Sequence, residues 1–327
     1  MILILSEELD KTTDKVIDWL ILKKEKFVRV NKEDDVNVLS IIIKNNLTSI
    51  VLEIKGQRLD LNDISVVWYR RNGLHFNNIK LETTTKVEPR SLKIHSIYEK
   101  NIIKEFIELS LSKKKILGRS ILQKNLNKLN VLEAAAAVGL KIPESAIVSQ
   151  KKLIPETPLI TKAIGEVYST DFNTLGVKKR LITYTVDLND TARQLIAEKF
   201  FPSLFQRKID KQYEIRVFHI DGVNYAMALF SQKNLQTKVD FRRYDYENPN
   251  RTIPFSLPHE INIKINTLMV KLGLDTGSID MLVDKDGHFY FLEVNPNGQF
   301  GMVSVPCNYY LEKIVADSLI NKNKRND

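Results

Sequence analysis

The chain has 327 residues, 43% of them hydrophobic and 27% charged, which is enough to bury large cores and excludes a disordered or low-complexity polymer. Lysine and arginine total 49 against 40 acidic residues, and residues 101–250 alone carry +8 of the net +9, so the basic middle favours an anionic partner of unspecified kind. The single cysteine, Cys307, excludes an internal disulfide framework and a multi-cysteine zinc or iron–sulfur site, and fits a reducing cytoplasm.

Met1–Leu5 is apolar but meets Ser6-Glu7-Glu8 at once, so it reads as a first strand and not as a signal peptide. No run approaches the roughly 20 apolar residues of a membrane span, and no membrane insertion is expected. A helix around Asp14–Lys24 and strands at Phe27–Val30 and Val66–Tyr69 make an α/β pattern over residues 1–116. A long helix is predicted from about Pro89 to Lys114, with Ile97, Ile102, Phe106 and Leu109 as its apolar face and Lys113–Lys115 at its negative end.

A second unit, 117–191, opens near Leu117 and holds a helix over Lys128–Val138 stopped by Gly139, an extended Lys141-Ile142-Pro143, and a strand over Leu159–Ala163. A third, 192–327, holds strands at Leu204–Ile209, Tyr213–Ile220 and Val223–Phe230, the last two joined at Asp221-Gly222. A helix near Ile261–Leu272, two further strands and a short helix follow, and Asn321–Asp327 reads as a disordered tail.

The sharpest chemical signal is the hairpin of Ser278–Val283 and Phe289–Asn295 around Asp284-Lys285-Asp286-Gly287. With Asp286-Gly287 as the two central turn residues, Lys285 pairs with His288 and Asp280 falls opposite Glu293. Period-2 alternation then sets Asn295 on the Glu293 face. Facing carboxylates repel unless a divalent cation neutralises them, and oxygen-only ligands favour Mg²⁺ or Mn²⁺. The alternative is a strand-end cap at Asp280 and a salt bridge at Glu293.

A cation with few protein ligands usually shares its sphere with phosphates, yet no Walker loop is present. Lys128, opening a helix, and Lys162, between apolar strand residues, are candidate anion ligands, the alternative being snorkelling surface lysines. Glu214 and Arg216 share a strand face, which is also the pattern of a solvated sheet surface.

Taken in order, Asn127-Lys128, Gly139–Pro143, Ile160–Ala163, Gln206–Ile209, Glu214-Ile215-Arg216, Asp280 and Glu293–Gly298 resemble the ATP-grasp ligases over residues 117–310. Within that superfamily Trp68-Tyr69-Arg70-Arg71 and Val239–Arg243, with Asn250-Arg251 after it, are most similar to the microviridin-type (graspetide) peptide maturases, in particular the grasp-with-spasm branch. The resemblance implies an α/β (α+β) ATP-grasp fold behind an N-terminal pre-ATP-grasp domain, with nucleotide between the central and C-terminal subdomains. It implies that Lys128 and Lys162 bind ATP phosphates, that Gln206 and the backbone of Arg207, Lys208 and Ile209 meet adenine, and that Glu214 takes the ribose. Arg216 would face the γ-phosphate or acyl phosphate, and Asp280, Glu293 and Asn295 would hold Mg²⁺ or Mn²⁺. After Lys162, Gly165–Tyr168 is poor in glycine for a phosphate-covering loop, a departure from the pattern.

The implied activity is ATP-dependent activation of Asp or Glu side chains of a ribosomal precursor peptide, leader plus acidic core, and closure of ω-ester or ω-amide links. Such a core would need cations, which Arg70, Arg71, Arg242, Arg243 and Arg251 near Asp240 supply unless they are salt-bridged structurally. The resemblance further implies a radical-SAM SPASM partner protein and a homodimer. Two rivals stand beside it. One is a ligase of the same fold adding an amino acid to a small molecule or protein terminus. The other is a basic nucleic-acid-binding module, which leaves the Asp280–Glu293 pairing unexplained.

Overall fold

The computed structural model describes residues 1–71, 73–76, 89–119, 126–165, 169–174, 177–232 and 247–324. The chain divides into two units, residues 1–125 with 274–277 and 296–327, and residues 126–273 with 278–295.

The first unit begins with β1 (Ile2–Ser6), α1 (Lys11–Leu22) and β2 (Phe27–Asn31), followed by the antiparallel strands β3 (Val36–Lys44), β4 (Leu47–Ile54) and β5 (Gln57–Asp60). Then come β6 (Val66–Tyr69), α2 (Pro89–Ser112) and β7 (Lys115–Gly118). Strands β2-β1-β6-β7 form a parallel sheet. Every residue of β1 and β6 is buried, as expected where a parallel sheet is covered on both faces. The Asp10 side chain accepts from the Thr12 and Thr13 N–H groups and so starts α1, which buries Val16 and Leu20. Between β4 and β5, Lys55 and Gly56 both take positive φ (53° and 74°), the two-residue turn whose twist matches the strands.

The apolar face of α2 differs from the one its spacing predicts. Ile107 and Leu111 are buried and Phe106 packs against the same core, whereas Ile97, Ile102 and Leu109 are exposed. Isoleucine and leucine surround much of this helix, so more than one stripe fits a 3.6-residue period and tertiary packing selects the one that is covered. Lys115 belongs to β7 and not to the helix end.

The second unit opens with α3 (Lys128–Ala137), β8 (Ser145–Gln150), β9 (Leu159–Lys162), β10 (Ser169–Thr174), β11 (Val177–Ile182), β12 (Val186–Asp187), α4 (Asp190–Leu195) and β13 (Lys199–Arg207). It continues with β14 (Lys211–Ile220), β15 (Val223–Phe230), β16 (Arg251–Phe255), α5 (His259–Lys271), β17 (Thr276–Asp284) and β18 (Phe289–Asn295), the first two residues of β17 being counted with the first unit. One sheet has the order β12-β9-β13-β8, another the order β16-β15-β14-β17-β18, and β10 pairs with β11. Asn127 caps α3 through Leu129 and Asn130 N–H. Asp221-Gly222 makes the predicted tight turn, with Ile220 facing Val223.

The chain returns to the first unit through α6 (Gly301–Cys307) and α7 (Leu311–Lys324). Cys307 is a buried thiol whose pKa is raised by desolvation, consistent with packing. The segment read as a disordered tail is instead the last turn of α7, whose Leu311, Val315 and Leu319 are buried, as far as Lys324. Residues 325–327 lie outside the described residues.

Candidate active site

The second unit contains a cleft of about 550 Å³ lined by side chains from both of its larger sheets. Lys162, Arg207, Lys208, Ile209, Glu214, Arg216, Asp280 and Glu293 all line it, among apolar walls that include Ile160, Met281 and Leu292.

Asp280 on β17 pairs with Glu293 on β18, and Ser278 with Asn295. The route to that register differs from the simple hairpin. Asp284 N–H donates to His288 O, and Gly287 has φ of 82°, so three residues close the loop where two were expected. From Val283–Phe289 to Met281–Phe291 the register is one residue offset, and a bulge at Leu292 restores it at Asp280–Glu293. The loop also brings Asp284, Asp286 and His288 together, but Asp284 Oδ1 accepts the Asp286 and His288 N–H groups, so the cluster is accounted for by turn bonding.

Each of the two facing carboxylates has its own cation. Arg216 Nη1 donates to both oxygens of Asp280, at 2.5 and 2.7 Å. Lys128 Nζ stands 3.3 Å from Glu293 Oε2 and donates to Gly165 O at 2.8 Å. The carboxylate repulsion that argued for a metal is thus offset by protein charges, and the case for a cation rests on the oxygen donor set. Arg216 and Asp280 are both 8% exposed, so their pairing is made in a poorly solvated setting.

Deeper in the cleft, Glu214 is paired with Lys211 and accepts from Ser231 Oγ at 3.1 Å. Burial still pushes its carboxyl above the ordinary carboxylate range, with Lys211 opposing the shift. Gln206 is fully buried and donates from Nε2 to Ser145 Oγ at 2.8 Å. Lys162 is paired in register with Leu204 of β13, and Lys208 is salt-bridged to Asp187. Three buried polar atoms of the residues predicted to meet nucleotide have no hydrogen-bond partner: Gln206 Oε1, Glu214 Oε2 and Arg216 Nε. Buried orphans are rare in folded proteins, and two of these, on Glu214 and Arg216 of one strand face, belong to residues that line the cleft.

Sequence reasoning missed Lys211, Ser231 and Asp187. Lys211 lies three residues before Glu214 on β14, a spacing that simple strand alternation assigns to opposite faces; its long side chain at the strand's first residue bridges the difference.

Of the residues expected to meet substrate, the described ones, Arg70, Arg71 and Arg251, are not among those that line the cleft. Arg70 is only 2% exposed: it is ion-paired with Asp10 at 3.0 Å, donates to the Asn297 and Gly298 carbonyls, and lies 5.3 Å from the Phe300 ring. These contacts hold Arg70 as an interior clamp of the first unit. Arg71 Nε donates to Asp10 Oδ2 at 3.0 Å and also pairs with Glu7, the structural role left open for it. Arg251 is exposed at the start of β16, with its guanidinium 5.7 Å from the Phe230 ring. Asp240, Arg242, Arg243 and residues 166–168 lie outside the described residues.

The fold matches that of solved ATP-grasp ligases. No family model and no curated protein matches the sequence. Among solved structures the chain is similar, over 99% of its length and 97% of the other chain, to the RiPP-associated ATP-grasp ligase of Chryseobacterium gregarium in complex with ADP and a leader and core peptide, at 25% identity and TM-score 0.79. It is similar to macrocyclase MdnC of Microcystis aeruginosa MRC bound with precursor peptide MdnA, at 23% identity and TM-score 0.76 over 98% and 99% of the two chains. ATP-grasp ligase PsnB, complexed with a phosphomimetic variant of minimal precursor, Mg and ADP, matches at 15% identity and TM-score 0.67 over 99% and 98%. The resemblance to ATP-grasp peptide maturases therefore holds along nearly the whole chain.

Proposed function

We propose that this protein is an ATP-dependent carboxylate–amine or carboxylate–alcohol ligase that activates Asp or Glu side chains of a ribosomally made precursor peptide and closes ω-ester or ω-amide links within it. The observation that carries the reading is the cleft with the orphaned buried atoms of Glu214 and Arg216 beside the Asp280–Glu293 pair, in a chain that matches peptide-bound ATP-grasp ligases over 99% of its length. Residues 117–191 and 192–327 are read as the central and C-terminal ATP-grasp subdomains behind an N-terminal domain of residues 1–116, with the difference that α6 and α7 are counted with the first unit.

The residues fit Mg²⁺ and ATP. Apolar walls at Ile160, Met281 and Leu292 suit a purine, and Glu214 Oε2 and Gln206 Oε1 are acceptors with capacity left for ribose or base donors. The Arg207 and Lys208 N–H groups donate to the Glu144 and Pro158 carbonyls, so the base edge falls to the Ile209 N–H. Lys128 and Lys162 serve the phosphates, and Asp280, Glu293 and Asn295 hold the metal. Bound there, Mg²⁺ neutralises charge on the phosphate oxygens.

A carboxylate cannot expel oxide, so the peptide carboxylate oxygen first attacks the γ-phosphorus, ADP departs, and an acyl phosphate results. A hydroxyl or amine of the same peptide then attacks the acyl carbon, phosphate leaves with the bonding pair, and the nucleophile's proton passes to a base or to water. Arg216 commits one nitrogen to Asp280 and keeps Nε for the developing charge, while Lys162 screens the transferring group. No protein nucleophile is required, in keeping with a buried Cys307.

The enzyme works as a homodimer, a reading supported by the exposed Ile94, Tyr98 and Ile102 of α2, and beside a radical-SAM SPASM partner. It acts in the cytoplasm; among the described residues no helix is long and apolar enough to cross a membrane. The test is a mass spectrum of an acidic peptide containing Thr or Lys after incubation with protein, ATP and Mg²⁺. Loss of one water mass per link, only with ATP, is expected. An unchanged peptide with ADP release stimulated by a free amino acid would overturn it in favour of a small-molecule ligase.

A further inference from the structure

Arg119 follows Gly118 at the carboxyl end of β7, one residue past the register pair Tyr69–Gly118. Its Nε and Nη1 are buried without a hydrogen-bond partner. The arginines one strand away differ in being ion-paired, Arg70 and Arg71 both with Asp10 and Arg71 also with Glu7, although Arg70 Nε likewise makes no hydrogen bond. Desolvation lowers the pKa of Arg119, the expected effect on a cation drawn out of water.

The backbone that presents this side chain is held firmly. Gly118 has φ of +85°, a Cβ there would lie 2.7 Å from Tyr69 O, and its N–H donates to Asp275 Oδ1 at 2.9 Å. Asp275 in turn faces Lys322 at 3.6 Å. An alanine could not take this conformation, so the glycine serves the placement of the residue after it. In parallel α/β sheets the carboxyl ends of the strands are where ligands bind, and in this sheet that edge carries Arg70, Arg71 and Arg119. Two of the three are neutralised from within the chain. The third has buried donors to spare, which is costly unless an anion completes it.

We infer that Arg119 is a carboxylate-binding residue of the first unit that takes an acidic side chain of the peptide substrate. The planar guanidinium offers donors at fixed angles that suit a carboxylate. The identity of the ligand rests on the peptide reading above, whereas the site itself rests on the orphaned nitrogens and the fixed backbone.

The test uses the full chain without ATP. Glutarate, a mimic of the Glu side chain, is compared with chloride at matched ionic strength by thermal unfolding of wild type, Arg119→Gln and Arg119→Lys. Glutarate is expected to raise the Tm of wild type, to raise that of Arg119→Lys by less, and to leave Arg119→Gln unmoved. Without ligand, Arg119→Gln should be at least as stable as wild type, because it buries no unpaired charge. A synthetic acidic peptide should bind wild type roughly tenfold or more tightly than its Gln and Asn counterpart, a ratio that falls to about one in Arg119→Gln.

An Arg119→Gln protein that is less stable or fails to fold would make the arginine structural and overturn the inference. So would equal glutarate effects in both proteins, or stabilisation of wild type by inorganic phosphate alone. Arg119-dependent peptide binding without ATP-driven water loss would keep this site and sink the maturase reading; the reverse result would sink only the site.

Discussion

Replacing Arg216 by Met removes the partner of a carboxylate that is 8% exposed and sits opposite a second carboxylate across β17 and β18. Both Asp280 oxygens accept from the same Arg216 nitrogen, so the variant takes this contact from both at once. Breaking a buried pair by removing one member costs about 3–5 kcal/mol, whereas replacing both members by apolar residues is often neutral. Arg216→Met should therefore lose stability in that range, and Arg216→Met with Asp280→Leu should recover most of it. The single variant should also gain from Mg²⁺, because Asp280 beside Glu293 is a stronger divalent site without the guanidinium than with it. At a hundredfold excess of Mg²⁺ over its Kd the recovery is about 2.7 kcal/mol. Urea unfolding followed by far-ultraviolet circular dichroism is the suitable assay, since Trp19 and Trp68 both belong to the first unit and their fluorescence would miss the site. A single variant as stable as wild type, or no more responsive to Mg²⁺, would refute the assignment of Asp280 to a paired, metal-accepting carboxylate.

Glu293→Gln should abolish peptide crosslinking with little change in circular dichroism, because shape is kept while the negative charge goes; full activity would remove it from the metal site. Lys162→Ala should weaken ATP binding in calorimetry, and unchanged affinity would remove Lys162 from the nucleotide-binding residues. The Arg70 and Arg71 guanidinium groups and Thr12, outweighing desolvation, hold Asp10 down to about 2 against an ordinary value of 3.8. A depressed folded-state pKa gives stability that is present above the unfolded value and lost as pH falls from about 4 towards 2. The stake is about 2 kcal/mol, and Asp10→Asn should flatten that part of a pH–stability curve. Gly118→Ala meets Tyr69 O at 2.7 Å with φ of +85° and should cost about 1–3 kcal/mol of stability, read as a lower urea midpoint.

Local chemistry was legible wherever one element contained the whole signal. Glu293 and Asn295 share a face because a strand alternates, Lys128 opens its helix behind an Asn127 cap, and Asp221-Gly222 turns a hairpin. Even the Asp280–Glu293 register was reached from sequence, although through a two-residue turn; the molecule uses a three-residue loop and a bulge whose offsets cancel. Bulges leave little mark in a hydrophobic pattern, since one extra residue on one strand costs the alternation only a single step.

Partnership across elements was decided by tertiary structure alone. Strand alternation shows that Arg216 faces the side of Glu214, but nothing in β14 announces that β17 will lie beside it and place Asp280 within 2.7 Å. The same holds for Lys128 and Glu293, and for Arg70, which reads as a substrate contact until Asp10, Asn297 and Gly298 close around it. On α2, an apolar surface that reaches around the helix left the choice of buried stripe to its neighbours. Periodicity reports which way a side chain leaves its own backbone, and the charges that meet it come from segments tens to hundreds of residues away. Which residue types the cleft needed was therefore written in the sequence, and which of them neutralise one another was written only in the packing of the sheets.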